Sequence, residues 1–155
     1  MPTSIATIEI NGPASEVYRF LTSPRLLSEW ISGLLAHRPM GGDGELRFGA
    51  RGWNGSAGDR READLQSEIT AFEPDRSLNI RIESKGFIVL SDFHLFESDG
   101  QTTVRQSVQL TYKRWHRLFA PITGRMVQRK METDLKRLKR RVETKVARSA
   151  ASKAA

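Results

Sequence analysis

The sequence predicts an α+β fold in which a curved antiparallel sheet of about six to seven strands wraps a long C-terminal helix, with two short helices after the first strand. Three observations carry this. The final quarter of the chain repeats apolar residues at three- and four-residue steps, the stretch before it alternates apolar and polar residues between turn clusters, and two Pro-punctuated helical segments follow the opening strand. A helix that long with one apolar stripe needs an apolar partner, and only the strands offer one. The expected result is a sheet gripping a helix, with room between them for a ligand.

Ile5, Thr7 and Glu9 alternate with Ala6, Ile8 and Ile10, which predicts a short strand. Asn11-Gly12-Pro13 breaks it, and Pro13 suits the start of a helix over 13–22, with Val17, Phe20 and Leu21 on one face. Ser23-Pro24 restarts the pattern with Leu27, Trp30, Ile31 and Leu34. Seven of the twelve glycines fall in residues 41–58, around a strand expected over Glu45–Trp53 and a turn at Asn54-Gly55, with mobility expected near Ser56–Asp59. Further strands are expected over Leu65–Phe72, over Leu78–Glu83 with Leu78, Ile80 and Ile82 on one face, from Phe87 to Phe96, and up to Tyr112. Tight turns at Glu73-Pro74-Asp75, Lys85-Gly86 and Ser98-Asp99-Gly100 make consecutive strands an antiparallel meander. A seventh strand has space in 32–43 or in the Gly-rich hairpin. Trp115, Leu118, Phe119 and Ile122 open the last helix, where Pro121 predicts a kink or restart; Val127, Met131, Leu135, Leu138 and Val142 continue its apolar stripe. One domain over 1–147 is expected, with a frayed tail over 148–155.

Composition narrows the chemistry. The chain has 155 residues, of which 38% are hydrophobic and 28% charged, enough for a core without staples. It has no cysteine, which excludes disulfides, thiol catalysis and Cys-based zinc sites. No apolar run reaches the roughly 18 residues of a membrane span. Met1-Pro2-Thr3-Ser4 lacks the opening of a secretory signal, so a cytoplasmic location is expected. Net charge is +7 but lopsided: residues 113–155 carry 14 Lys and Arg against Glu132, Asp134 and Glu143, while the other 112 residues hold 11 bases and 15 acids. Such asymmetry suits either a solvated helix face or a contact with an anionic surface.

Ile8-Glu9-Ile10-Asn11-Gly12-Pro13-Ala14-Ser15-Glu16-Val17-Tyr18, then Phe20-Leu21-Thr22-Ser23-Pro24 with Glu29-Trp30, form a strand-to-helix opening. Phe93-His94-Leu95 before Asp99-Gly100-Gln101-Thr102-Thr103-Val104, and Asp134-Leu135 with Leu138-Lys139 and Glu143, follow later. Together these resemble the polyketide cyclase/dehydrase and lipid-transport superfamily (START or Bet v 1-like, SRPBCC), over about residues 5–145. The resemblance implies the helix-grip fold, which hosts hydrophobic-ligand carriers, hormone receptors, aromatase/cyclases and chaperone activators. The strongly basic last helix departs from the pattern.

The inward face of each strand supplies the candidate ligand-binding residues: Phe48, Ile80 and Ile82, Phe87, Val89 and Phe93, and Val108 with Tyr112. Trp30 closes one end, and Gly124, Val127 and Met131 face the sheet from the helix. Ser91 and Gln106 share the inward parities of neighbouring strands, suited to hydrogen-bond a ligand carbonyl or hydroxyl and costly in a dry core if unpaired. Arg47 and Arg51 flank the Gly-rich loop, placed to hold a carboxylate at the mouth. Asp92 and His94 share a face suited to an acid–base pair, but it is the face opposite Phe93, so no catalytic role is assigned. His37 and His116 have no partner at ligand spacing, so neither metal nor cofactor is expected. The reading is binding or transport of a small hydrophobic, lipid- or polyketide-like ligand. The first rival is a cyclase, dehydratase or aromatase with Tyr112, Ser91 and Gln106 as polar guides; the second is an interaction module presenting Arg137, Arg140 and Arg141 to nucleic acid or anionic membrane.

Overall fold

Alternation along the middle of the chain becomes a seven-stranded antiparallel sheet in the order β1-β7-β6-β5-β4-β3-β2. The computed structural model describes residues 3–31, 34–39, 47–52, 63–83, 86–113 and 120–154; for 34–39, 47–52, 63–67 and 120–123, and for Pro24 and Ser28, it describes the backbone alone. The elements are β1 (Thr3–Asn11), α1 (Ala14–Thr22), α2 (Pro24–Trp30), β2 (Leu34–Pro39), β3 (Arg47–Gly52), β4 (Ala63–Glu73), β5 (Ser77–Glu83), β6 (Phe87–Ser98), β7 (Gln101–Tyr112) and α3 (Ala120–Ala154). The extra strand sought in 32–43 is β2, an edge strand paired to β3. The expectations for the turn at 54–55, for mobility near 56–59, for Trp53, for Lys85 in its turn, and for Trp115, His116, Leu118 and Phe119 lie outside the described residues.

Local chemistry explains the joints. Asp99 and Gly100 form the two-residue loop between paired Ser98 and Gln101, with φ of 52° and 75°, a turn that needs left-handed backbone at both positions. A register shift between Ile69 and Ala71 puts a bulge in β4, which bends that strand and increases its twist. Pro121 lies in the first turn of α3, where its missing N–H costs nothing; within the described residues it is a start, not a kink. The tail expected to fray over 148–155 is instead helical through Ala154. Its alanines are the strongest helix formers, and every residue from Ala147 to Ala154 is exposed.

The core sits between the sheet's concave face and the three helices. Ala6 and Ile10 from β1, Leu78 from β5, Phe93 and Leu95 from β6, and Val104 and Val108 from β7 join Val17, Phe20 and Leu21 of α1, Leu26, Leu27 and Trp30 of α2, and Met131, Leu135, Leu138 and Val142 of α3. The helix also seals the sheet's edge. Gln128 Nε2 donates to the Ile5 carbonyl at 2.9 Å, Lys139 Nζ donates to the Glu9 carbonyl at 2.7 Å, and the Asn11 N–H donates to Glu143 Oε1 at 2.9 Å. These backbone groups point away from β7, so side chains of α3 satisfy an edge that would otherwise invite another strand. The three contacts run α3 alongside β1 in the same direction, its N-terminal part beside Ile5 and its later turns beside Asn11.

Candidate functional site

Register alone sorts the concave face into rows. One row is Ala6, Gln106, Phe93 and Leu78, and the next is Ser4, Val108, Ser91, Ile80 and Ile69. The third is Leu110, Val89 and Ile82, continued in backbone register through positions 67, 48 and 39; the last pairs Tyr112 with Phe87. Ile80, Ile82, Phe87, Val89, Ser91, Phe93, Gln106, Val108 and Tyr112 therefore lie on one face, and Phe48 falls in the row of Ile82 and Val89. Leu110 and Ile69 belong to the same rows and were missed as candidates, although Leu110 has the parity of Val108 and Tyr112.

Burial divides this face into two ends. Phe93, Leu78, Val108, Ser91 and Gln106 are buried, whereas Ile80, Ile82, Phe87, Val89, Leu110 and Tyr112 are only half-buried despite pointing the same way. On α3 the division repeats: Met131 is buried, while Gly124 and Val127 are half-buried. The bonds from α3 to β1 place Gln128 beside Ile5, whose neighbour on β7 is Ser107. The half-buried start of α3 and the half-buried ends of β5, β6 and β7 thus belong to the same end of the molecule. The other end is filled by α1, α2 and the later turns of α3.

Trp30 stands at the filled end. Its Nε1 donates to the Phe20 carbonyl at 3.0 Å, and its ring meets Phe93 edge to face, with centroids 6.3 Å apart and planes at 87°. The indole N–H is thereby satisfied and the ring fixed, a bounded floor beneath the half-buried rows.

One polar pair interrupts the apolar lining. Gln106 Nε2 donates to Ser91 Oγ at 3.1 Å, and both residues are buried, with Gln106 only 9% exposed. Gln106 Oε1 has no hydrogen-bond partner among the described residues. A buried carboxamide oxygen without a donor costs about 1–3 kcal/mol. The half-buried inward positions Ile80, Ile82, Phe87, Val89, Leu110 and Tyr112 carry no carboxylate, imidazole or amine. Asp92 and His94 lie on the opposite face, His94 exposed. Among the described residues no group of three or more His, Cys, Asp or Glu is placed to hold a metal ion. The side chains of Arg47, Arg51, His37 and Phe48 lie outside the described residues.

At the rim of the half-buried end, Glu83 is gripped from two strands. It accepts from Lys113 Nζ at 2.5 Å and from Arg81 at 2.9 Å, tying the end of β5 to the residue after β7 across β6. The Lys113 hydrogen bond, helped by that ammonium's charge and by Arg81, holds the Glu83 carboxyl below its ordinary range.

A family model described as polyketide cyclase/dehydrase and lipid transport matches residues 1–143. Solved structures with the same fold include the protein TTHA0849 of Thermus thermophilus, 15% identical, with a TM-score of 0.75 over 91% of this chain and 97% of that one. The Zhui aromatase/cyclase from a Streptomyces species is also 15% identical, with a TM-score of 0.75 over 94% and 95% of the two chains. The protein MLL2253 of Mesorhizobium loti is 20% identical, with a TM-score of 0.60 over 95% and 98%. No curated protein matches the chain. Among the described residues no helix is long and apolar enough to cross a membrane.

Proposed function

The chain belongs to the polyketide cyclase/dehydrase and lipid transport family, and from that premise we propose that it binds a small hydrophobic, lipid- or polyketide-like molecule between the concave face of its sheet and the start of α3. One observation carries the reading. Ile80, Ile82, Phe87, Val89 and Tyr112 face the same way as the fully packed Phe93 and Leu78, yet remain half-buried, with Val127 opposite on the helix. Apolar surface held partly open on the inner side of a sheet is a binding surface for an apolar guest, worth roughly 25 cal/mol for each Å² it removes from water. Trp30 and Phe93 form the floor; Ser91 and Gln106 are the polar contacts beside it.

The Gln106 oxygen has no donor among the described residues, so the preferred guest carries a hydroxyl or N–H at the end that enters first. Ligand-binding roles follow for Trp30, Phe48, Ile80, Ile82, Phe87, Val89, Ser91, Phe93, Gln106, Val108, Tyr112, Val127 and Met131. Protein purified under native conditions is expected to release an apolar molecule on organic extraction, or to bind a fluorescent fatty-acid analogue that unlabelled lipids displace. Absence of both across a broad lipid and polyketide panel contradicts the reading.

The polar pair inside an apolar lining also supports a second reading, a cyclase- or dehydratase-type reaction on such a guest. Ser91, Gln106 and Tyr112 would then position a reactive chain. Ser91→Ala, Gln106→Leu and Tyr112→Phe would lower turnover of a polyketide substrate; unchanged turnover excludes it.

A further inference from the structure

The solvent side of α3 carries a feature unconnected with the interior. Arg129, Lys136, Arg137, Arg140, Arg141 and Arg148 are exposed and make no ion pair among the described residues. The acids of the helix are all engaged along it: Asp134 with Lys130 at 2.5 Å, Glu143 with Lys139 at 2.8 Å, and Glu132 with Gln128 at 2.9 Å. Lys145 lies 3.7 Å from Glu16 of α1. At about 100° per residue these six cations fall within roughly 140° of arc, opposite the buried stripe of Met131, Leu135, Leu138 and Val142, while Arg125 and Lys153, also exposed, lie outside that arc. They extend over about 28 Å of helix. Between them the surface is Thr133, Thr144, Ala147 and Ala151, together with Lys130 in its pair with Asp134, and Met126 lies at one end.

We infer that this face docks on an anionic lipid bilayer. The cations run along one side of the helix, and lipid headgroups, free to move laterally, meet such a row at any spacing. Five of the six cations are arginines, whose planar forks bind phosphate in two-point fashion. The remainder of the chain outside residues 113–155 carries 15 acids against 11 bases, so an anionic plane repels it and turns α3 inward. A nucleic-acid duplex suits the face less well. The opposite side of α3 is packed on β1, α1 and α2, which keeps the helix from sinking into a groove, and the face holds no Asn or Gln to read base edges. Among the described residues Met126, 42% exposed, is the one large apolar side chain on this face, so the contact we propose is chiefly electrostatic.

The test is co-sedimentation of the full chain with vesicles of phosphatidylcholine alone and of phosphatidylcholine mixed with phosphatidylglycerol. Binding is expected to the mixed vesicles only, with release as salt rises from roughly 50 to 200 mM. The triple variant Arg137→Glu, Arg140→Glu, Arg141→Glu is expected to weaken binding at least about tenfold, and the corresponding lysine variant to retain it. Circular dichroism shows whether the helix of each variant is intact, and the salt series on the unaltered chain decides without any variant. Equal binding to both vesicles, binding to neither, or stripping from anionic vesicles by duplex RNA at equal phosphate overturns the inference. Retention of a fatty-acid probe by the glutamate variant shows that the interior site stands or falls separately.

Discussion

Glu143 on α3 accepts the backbone N–H of Asn11 at the end of β1, 2.9 Å away and 132 residues distant in sequence. The same oxygen accepts Lys139 Nζ at 2.8 Å. Burial by itself raises the Glu143 carboxyl, but the Lys139 and Asn11 hydrogen bonds and the Lys139 charge outweigh it, and the group titrates below its ordinary value of 4.5. This contact is the last rung of the ladder that fixes α3 along the sheet edge.

A carboxyl depressed in the folded state contributes stability above its unfolded value and loses it as pH falls through the folded one. Unfolding free energy of the native chain is therefore expected to decline below about pH 4.5, and Glu143→Gln to remove part of that decline while costing about 1 kcal/mol at neutral pH. Urea titrations of both proteins at a series of pH values provide the check.

Gly12 lies tight against α3. A Cβ built there meets Val142 Cγ1 and Val146 Cγ2, each at 3.2 Å. Gly12→Val is expected to destabilise by about 1–3 kcal/mol through overpacking, and Val146→Ala in the same chain to recover part of the loss. Chemical denaturation of the single and double variants measures the coupling.

Trp30→Phe keeps an aromatic ring over the floor but removes the donor to the Phe20 carbonyl. The expected cost is about 1–2 kcal/mol, with α1 and α2 loosening together. Faster amide exchange at both helices, relative to β6 and β7, is the readout; unchanged exchange contradicts the role given to the indole N–H.

Gln106→Leu removes an oxygen that has no donor among the described residues. The empty protein is expected to be as stable as before or slightly more so, because that buried polar atom is gone. A fatty alcohol should bind about tenfold more weakly to this variant, and an alkane of equal length should bind unchanged. Equal losses for both indicate that Gln106 acts only through packing.

Much of this architecture is written in the residue pattern, because parity in a strand and stripe in a helix are local properties. Leu78, Ile80 and Ile82 announce their shared face, Asp99-Gly100 announces its turn, and Ser91 and Gln106 announce a polar pair that the register then brings to 3.1 Å. The division between a filled and a half-buried end is different. Phe93 and Val89 look alike in sequence, and only the placement of α1, α2 and α3 decides which one is sealed. Gln128, Lys139 and Glu143 likewise look like solvent-facing helix residues; their work on the β1 edge depends on a neighbour more than a hundred residues away. β2 was visible only as space for a strand, since Leu34–Pro39 lacks clear alternation.

The account rests on an apolar guest entering beside Ile82, Val89 and Val127. The most direct measurement is the binding stoichiometry of a fluorescent fatty-acid probe to the native chain and to Ile82→Trp, whose larger ring fills the half-buried rows. One probe per native chain, with binding lost in a variant of unchanged melting temperature, is the predicted result. Equal binding by both proteins, or none by either, contradicts it.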